Sequence, residues 1–321
     1  MARKTRKDGP DRFEAITNQI IASLEKGVAP WVCPWEGSGI GSLPRNGLTG
    51  RAYSGLNIFM CWGSGHPDPR WYTFNQVQTI NGYKRSGRFW NWAGEGEEPE
   101  GKFGVRKGQK GTKIVHWHKV VKEAKDDEEK DRSFMSLKVW TVFNHLQVNW
   151  VDGREPGADQ VETVTVDPAQ AHQVAADLFE ALSAQVYHGG GVAAYSPKTD
   201  VIQMPPAKAF KTVEHYWATR AHETVHWTGH KSRCKRLHDI NRFGSEAYAF
   251  EELVAELGAA FLCAELGITG KLQHTEYIGH WVKVLKNDKH AIFTAASLAK
   301  AALEYINEHK GVETIAKAVA A

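Results

Sequence analysis

The sequence predicts an α+β protein of two domains: a mixed α+β domain at the N-terminus and a mostly helical domain with a small β-sheet at the C-terminus. Three observations predict this division. Nine of the twelve tryptophans lie in residues 1–150. The same residues hold 23 Lys and Arg against 16 Asp and Glu, whereas the remainder holds 17 against 21. Strand-like runs are concentrated in the first half and helical periodicity in the second.

The domain boundary is predicted at a segment that contains Gly and Pro. Residues 151–165 have the composition of a linker, and Asp167–Pro168 suits a helix N-cap followed by proline at the first helical position. We therefore place the domains at residues 1–155 and 156–321. The charged run Lys122–Arg132 lies between two strand-like stretches and is predicted to be a solvated loop of the first domain.

The first domain is predicted to open with an amphipathic helix and to continue largely as strands. Asp11 can cap the helix, and apolar residues recur at helical spacing from Phe13 to Leu24. Segments 113–121 and 138–143 are rich in β-branched and aromatic residues, which predicts a pair of strands.

Composition limits the classes of function. The chain has 42% hydrophobic and 24% charged residues and a mean hydropathy of −0.45, which is typical of a globular protein. No apolar run approaches the roughly 18 residues of a membrane span, and the N-terminus is basic and polar, so we expect a cytoplasmic protein without a membrane segment. The cysteines include no C-x-x-C pair, which argues against a thiolate zinc site.

The first domain interleaves aromatic rings, cations and glycines. Unpaired bases stack on aromatic rings for about 1 to 3 kcal/mol each while Lys and Arg follow the phosphates, so this composition indicates binding of single-stranded DNA. The alternative is that the tryptophans fill the core of a sheet-rich domain. The candidate DNA-binding residues of this stretch are Trp71, Lys84, Arg85, Arg88, Trp90, Trp92, Lys107 and Lys110.

A metal-binding motif is present in the second domain, where residues 222–226 match H-E-x-x-H. On a helix this spacing puts His222 and His226 on one face, where both can bind the same zinc ion, and Glu223 lies beside them to take a proton from bound water. Residues 212–227 have a helical pattern, and we expect a left-handed cap at Gly229. The alternative is a solvated helix with incidental histidines.

A catalytic zinc site needs a third protein ligand. Ser232 stands where the metzincin pattern has its third histidine, which argues against that class. A second helix, predicted to begin after Ser245, carries glutamates on a largely apolar surface, where a charge is costly unless it is compensated. We assign Glu252 as third ligand and Glu256 as the acceptor that orients a ligand histidine, with exchanged roles or Glu251 as the alternatives.

The chain resembles the ArdC-type antirestriction proteins of conjugative plasmids and phages, which are also similar to the N-terminal part of certain plasmid primases. Seven segments carry the resemblance: 16–21, 27–31, 43–46, 49–57, 108–112, 222–230 and 248–256. It implies an N-terminal domain that binds single-stranded DNA without sequence preference, a C-terminal zincin-like domain, and protection of incoming DNA from host restriction enzymes. Arg45, Asn46 and Arg51, within these segments, complete the candidate DNA-binding residues.

Two classes of function follow from these predictions. In the first, the protein is a DNA-targeted peptidase, with Zn²⁺ or another divalent ion such as Mn²⁺, that cleaves a restriction-related protein near the entering strand. In the second, coating of single-stranded DNA alone blocks restriction and the metal domain is structural. A replication or primase-accessory role is a further alternative.

Overall fold

The computed structural model describes residues 11–31, 43–122, 132–156, 168–237, 245–268 and 277–309. The chain folds into two compact units, which we call the sheet unit, Pro44–Glu162, and the helical unit, Met1–Leu43 with Thr163–Ala321. The predicted loop Lys122–Arg132 and the predicted linker 151–165 lie largely outside the described residues, and Asp167 lies wholly outside them.

The predicted α+β class is confirmed, with most strands in the sheet unit and most helices in the helical unit. In chain order the described helices and strands are α1 (Arg12–Leu24), β1 (Arg45–Asn46), α2 (Leu56–Trp62), β2 (Arg70–Thr73), α3 (Phe74–Ile80), β3 (Tyr83–Ser86), β4 (Phe89–Trp92), β5 (Gly104–Val105), β6 (Thr112–Lys122), β7 (Arg132–Asn144), β8 (Val148–Asn149), α4 (Pro168–Ala181), β9 (Gln185–His188), β10 (Ala194–Ser196), β11 (Val201–Met204), α5 (Val213–Thr228), α6 (Glu246–Leu266), α7 (Ile278–Asn287) and α8 (Ala291–His309).

The sheet unit is built around a four-stranded sheet with the order β1-β2-β7-β6. β1 and β2 are parallel, and the other neighbours are antiparallel. The long β6–β7 pair confirms the strand prediction for segments 113–121 and 138–143. Strand β2 is buried on both faces, because Trp71 packs in one apolar cluster and the adjacent Tyr72 in another. The alternation of side chains along a strand explains this two-sided burial.

The hairpin β3–β4 stands beside this sheet and is only partly buried. Its strands pair antiparallel, with Arg85 opposite Trp90 and Tyr83 opposite Trp92. One face of β4 therefore presents the half-buried Trp90 and Trp92, and the other presents the exposed Phe89 and Asn91.

Helix α1 belongs to the helical unit, although the sequence-based boundary groups it with residues up to 155. Asp11 caps it as predicted, accepting a hydrogen bond from the Phe13 N–H at 2.9 Å. Its apolar stripe is buried as well, but against α7 and α8: Phe13 lies edge-on to Phe293, and the Thr17 hydroxyl donates to the Lys289 carbonyl. An amphipathic stripe predicts burial without saying which partner buries it.

Helices α5 and α6 form the centre of the helical unit and pack closely on each other. A Cβ at Gly258 would lie only 2.8 Å from Cγ2 of Val225, so glycine allows the two helices to approach at this point. A three-stranded sheet with the order β10-β11-β9 covers part of α5. This arrangement matches the predicted helical domain with a small sheet.

The C-terminal end of α5 differs from its prediction. Gly229 has φ −72°, a right-handed conformation, so the expected left-handed cap is wrong. The carbonyl of Gly229 instead accepts hydrogen bonds from the N–H groups of Arg236 and Leu237. Because a Cβ at residue 229 would lie 2.8 Å from Cγ of Leu237, the glycine is required for this close return of the chain.

Within the described parts of the chain, every helix is too short or too polar to cross a lipid bilayer.

Candidate metal centre and nucleic-acid surface

Helix α5 brings the two histidines of the H-E-x-x-H motif together. Thr212 caps the helix by accepting from the His215 N–H, and the helix continues without interruption through the motif. His222 and His226 lie one turn apart, and their Nε2 atoms are 3.1 Å from each other. Glu223, between them in sequence, is buried on the same helix.

Helix α6 supplies a carboxylate that faces both histidines. Ser245 caps this helix as predicted, and Glu252 follows two turns later. Its Oε2 atom is 3.4 Å from Nε2 of His222, and its Oε1 atom is 3.5 Å from Nε2 of His226. The three side chains offer donor atoms that all lie within 4.8 Å of one another.

These separations suit a divalent metal ion. Two ligand atoms bound to one tetrahedral zinc at about 2.0–2.2 Å lie roughly 3.3–3.6 Å apart. The Glu252–histidine distances of 3.4 and 3.5 Å fall in this range, and the distance between the two Nε2 atoms, 3.1 Å, is slightly shorter. A set of two imidazoles and one carboxylate leaves a fourth position for water.

Two further glutamates of α6 each contact one imidazole at Nδ1, the ring nitrogen that faces away from Glu252. Oε2 of Glu256 lies 3.5 Å from Nδ1 of His222, and Oε1 of Glu251 lies 3.2 Å from Nδ1 of His226. A carboxylate at Nδ1 directs the free electron pair of Nε2 toward a metal. This geometry favours Glu252 as the ligand and places Glu251 and Glu256 behind the histidines.

The arginine that anchors Glu251 was missed by the sequence analysis. Arg236 donates from Nε and Nη2 to the two oxygens of Glu251, at 3.1 and 3.0 Å, and also bonds the carbonyl of Val225 and the hydroxyl of Thr228. Its side chain is buried. It lies in the turn after the motif, and no sequence pattern marks it, because its partner is fifteen residues away on another helix.

The surrounding carboxylates control the protonation of both histidines in the metal-free site. Burial alone would favour neutral imidazoles, but Glu252 and Glu256 outweigh it and raise the pKa of His222 to about 10. Glu251 and Glu252 likewise outweigh burial and raise the pKa of His226 to about 9. The same pairing holds the pKa of Glu252 far below its usual value, in spite of its burial.

Tyr248 lies beside Glu252 and contacts Tyr277, and neither tyrosine was predicted from the sequence as part of the site. The hydroxyls of Tyr248 and Tyr277 lie 3.5 Å apart. Burial, the Tyr277 hydroxyl and the charge of Glu252 all raise the pKa of Tyr248, so this phenol stays protonated near neutral pH.

The structure places the candidate DNA-binding residues in several locations of the sheet unit. Lys84, Arg85 and Arg88 are exposed on the hairpin β3–β4, close to Trp90. The exposed Lys107 and Lys110 lie on the separate turn between β5 and β6.

Residues 43–57 contribute the remaining polar candidates. Asn46 and Arg51 line one cleft of the sheet unit, whereas Arg45 is half-buried on β1 beside Asp68, whose charge acts on it. These residues therefore form a third location, distinct from the hairpin and from the turn between β5 and β6.

Two tryptophans of the candidate set pack against other side chains of the sheet unit. Trp71 is 1% exposed and packs with Cys61, Ile114 and Val142, so it presents no ring face to a base, and its assignment to the DNA surface is corrected. Trp92 is half-buried and lies under the guanidinium of Arg154, 5.1 Å from the ring centre.

The most exposed aromatic ring of the hairpin was not among the candidates. Phe89 is 74% exposed and lies between Arg88 and Trp90 in the sequence. The signal that could have identified it is the alternation along β4, which puts Phe89 on the face opposite to Trp90 and Trp92.

Comparison with known proteins identifies the family. A model described as the N-terminal domain of the anti-restriction factor ArdC matches residues 10–143, and a model described as a zincin-like metallopeptidase matches residues 173–298. The metal-free crystal structure of the antirestriction protein ArdC from plasmid R388 is similar with a TM-score of 0.71 and 31% identity, over 94% of this chain and 98% of that chain. The chain belongs to the ArdC antirestriction family. The resemblance predicted from the sequence is thereby confirmed.

Other ArdC-like relatives differ in length. The uncharacterized protein y4eC of Sinorhizobium fredii (strain NBRC 101917 / NGR234) is 33% identical over 95% of this chain and 94% of its own length. The DNA primase TraC of Escherichia coli is 34% identical over 91% of this chain, but the match spans only 27% of the primase. This chain therefore spans about a quarter of that relative.

A second crystal structure of the R388 ArdC protein is described as Mn(II)-bound and is similar to this chain with a TM-score of 0.68 and 31% identity, over 94% of this chain and 98% of that chain. Together with the zincin-like family model and the three convergent donor atoms, it supports a divalent-metal site in the helical unit.

Proposed function

We propose that this ArdC-family protein binds single-stranded DNA through its sheet unit and hydrolyses a peptide bond at a zinc site in its helical unit, and that it thereby protects incoming plasmid or phage DNA from host restriction. The observation that carries the enzymatic part is the convergence of Nε2 of His222, Nε2 of His226 and the Glu252 carboxylate beside the buried Glu223. Zinc is our choice for two imidazoles and a carboxylate, and Mn²⁺ is the alternative.

The proposed chemistry assigns one task to each side chain. His222, His226 and Glu252 would hold the ion, and a bound ion would lower the pKa of a water molecule and polarise the carbonyl of the substrate. Glu223 accepts the proton of that water as it attacks the carbonyl carbon, and returns the proton to the leaving amide nitrogen. Glu251 and Glu256 hold the imidazole rings in position through their Nδ1 atoms.

Glu223→Ala tests the enzymatic part. It removes the proposed base and leaves the three ligands, so we expect metal content and DNA affinity to match the wild type while protection of an unmodified plasmid entering a restricting host is lost. Glu180→Ala, an exposed glutamate on α4, is the matched control and should protect normally. Full protection by Glu223→Ala would show that hydrolysis is not the mechanism.

The DNA-binding part is supported by the hairpin surface. Lys84, Arg85 and Arg88 are all exposed and can follow phosphates, while the exposed ring of Phe89 can stack on a base. No base edge needs to be read for such contacts, so we propose binding without sequence preference. A restriction-related protein close to the bound strand is the proposed peptidase substrate.

Replacing Lys84, Arg85 and Arg88 by alanine tests this surface. We expect weaker binding to a labelled single-stranded oligonucleotide in fluorescence anisotropy, and a smaller effect on duplex DNA, which offers no free base faces. The control replaces three exposed lysines of the helical unit, Lys208, Lys211 and Lys231. Equal losses in both triple variants would contradict a specific role of the hairpin.

A second candidate function is a DNA-bound accessory role in replication or priming, in which the metal only stabilises the fold. The similarity to one region of the TraC primases favours it. Loss of protection in Glu223→Ala would argue against it, whereas reduced primer synthesis on deletion of the chain would support it.

A further inference from the structure

A cleft of about 460 Å³ lies in the sheet unit, separate from the exposed tip of the hairpin. Its volume falls in the range of roughly 300–1,000 Å³ that is typical of small-ligand sites. The lining side chains that matter here are Asn46, Arg51, Tyr53, Gln76, His116 and Trp140. They combine a large aromatic ring, two amides and a cation.

The walls of the cleft are held in place by hydrogen bonds. Oδ1 of Asn46 accepts from the N–H groups of Leu48 and Thr49, which fixes the turn that carries Arg51. The amides of Asn46 and Gln76 bond each other in both directions, at 3.2 and 3.3 Å. The cleft is therefore preformed, so a ligand does not need to order it.

The opposite wall is fixed by Asn57 of α2. Its amide bonds both the N–H and the carbonyl of Val115, at 2.8 and 2.9 Å, and so joins the helix to strand β6. His116 follows on the same strand and is exposed at the cleft.

Trp140 offers the cleft a stacking surface. The side chain is 42% exposed, and Nζ of Lys138 lies 4.2 Å from the ring centre. Lys138 is itself exposed, so it can exchange this contact for a phosphate when another flat ring covers Trp140. Arg51 supplies a second exposed cation at the cleft.

The polar lining can recognise the edge of a base. Each of the amides of Asn46 and Gln76 carries two N–H donors, one of which is used in their mutual pair. The Asn46 amide also hydrogen-bonds the buried hydroxyl of Tyr53, which leaves the second N–H of the Gln76 amide to a ligand. Every nucleobase carries ring-nitrogen or carbonyl-oxygen acceptors on its edge, so such a donor can bind any base.

The cleft also lies next to the hairpin. Thr73 and Gln76, which line the cleft, form the capping box of α3, and Phe74 is the first residue of that helix. The ring of Phe74 contacts that of Trp90 on the hairpin, with 6.4 Å between centres. A strand bound along the hairpin can therefore reach the cleft within the same unit.

We propose that this cleft receives one nucleobase of the bound single strand, stacked on Trp140, with its edge against the amides and its phosphates at Lys138 and Arg51. This inference rests on the proposed binding of single-stranded DNA and adds a base-binding pocket to the hairpin surface.

Trp140→Ala tests the pocket, and Trp117→Ala is a closely matched control. Trp117 is also 42% exposed and lies on the neighbouring strand β6, but it does not line the cleft. Each protein is titrated in fluorescence anisotropy against a thymidine oligonucleotide and against an abasic strand with the same number of phosphates. Trp140→Ala should weaken oligonucleotide binding about 5- to 150-fold, because one stacked base is lost. It should leave binding of the abasic strand unchanged, and Trp117→Ala should leave both unchanged.

The remaining outcomes separate this pocket from the proposed function. If the wild type binds neither strand, binding of single-stranded DNA itself fails. If the wild type binds the oligonucleotide and Trp140→Ala binds it as tightly as Trp117→Ala does, the pocket alone is refuted. Competition by thymidine monophosphate at micromolar concentration would assign the cleft to free nucleotides and overturn its role in strand binding. Should Trp140→Ala lose its circular dichroism spectrum, Arg51→Ala removes an exposed cation of the cleft, and unchanged oligonucleotide affinity in that variant refutes the pocket.

Discussion

Replacing Arg236 by methionine tests the support of the metal centre. The substitution keeps much of the side-chain volume and removes the cation that holds Glu251. Breaking one partner of a buried ion pair costs about 3–5 kcal/mol, because the remaining charge stays buried without compensation. The hydrogen bonds to Val225 and Thr228 are lost as well. We therefore expect the free energy of unfolding of the metal-free protein to fall by about 3–5 kcal/mol in urea titrations.

The same variant should bind metal less tightly. Without Arg236, the Glu251 carboxylate is no longer fixed behind Nδ1 of His226, and loss of such outer support typically costs 10–100-fold in metal affinity. Competition with a chelator of known affinity measures this loss.

Arg233→Met is the control for this experiment. Arg233 lies in the same turn but bonds Asp200 and the carbonyl of Trp227 instead of a metal-site residue. It should lower stability and leave metal affinity intact. The reasoning is refuted if Arg236→Met keeps both the stability and the metal affinity of the wild type.

Four further predictions concern helix packing, pH and salt. Gly258→Ala should lower the free energy of unfolding by about 1–3 kcal/mol in spite of the better helix propensity of alanine, because the new Cβ would lie 2.8 Å from Val225. Adding Val225→Ala should recover part of this loss. Equal urea midpoints for the wild type and the single variant would contradict the prediction. Zinc binding at pH 7 should release about two protons, because the pKa values of His222 and His226 are raised to about 10 and about 9. Calorimetry in buffers of different ionisation enthalpy should therefore give different heats of binding. Identical heats would contradict the prediction. The same raised pKa values predict a pH-dependent stability of the metal-free protein. The stabilisation by the imidazolium–carboxylate pairs is fully present below about pH 6.5 and is lost as the pH rises through 9 to 10. Urea unfolding at pH 7 and pH 10 measures this loss. Removing the charges of Lys84, Arg85 and Arg88 should reduce the slope of log affinity against log salt for single-stranded DNA by about 2, and an unchanged slope would exclude phosphate contacts there.

The convergence of His222, His226 and Glu252 could be predicted from the sequence because the signals are local. A spacing of four on a helix fixes the relation between His222 and His226, whatever surrounds them. Glu252 is predictable because a glutamate on an apolar helix surface needs compensation for its charge, and the only question is which glutamate faces the histidines. The structure answers that question by the rotation of α6 relative to α5, which no sequence pattern specifies.

Features that depend on tertiary packing could not be predicted. Arg236 pairs with Glu251 only because the turn after α5 folds back over α6. Composition suggested Trp71 as a base-stacking residue, but two-sided burial of β2 places it in the core. The alternation along β4 separates Phe89 from Trp90 and Trp92, but which of the two faces is exposed depends on how the hairpin packs in the sheet unit. The sequence-based boundary assigned α1 to the first domain for a similar reason: its apolar stripe predicts burial but does not indicate which helices it packs against.

The most direct test of the central claim is a crystal structure of the zinc-loaded protein with anomalous diffraction measured at the zinc edge. We predict one ion per chain in the helical unit, bound at about 2.0–2.2 Å by Nε2 of His222, Nε2 of His226 and the carboxylate of Glu252. An ion that avoids Glu252 in favour of Glu251 or Glu256, or no ion between α5 and α6, would contradict the proposed metal centre.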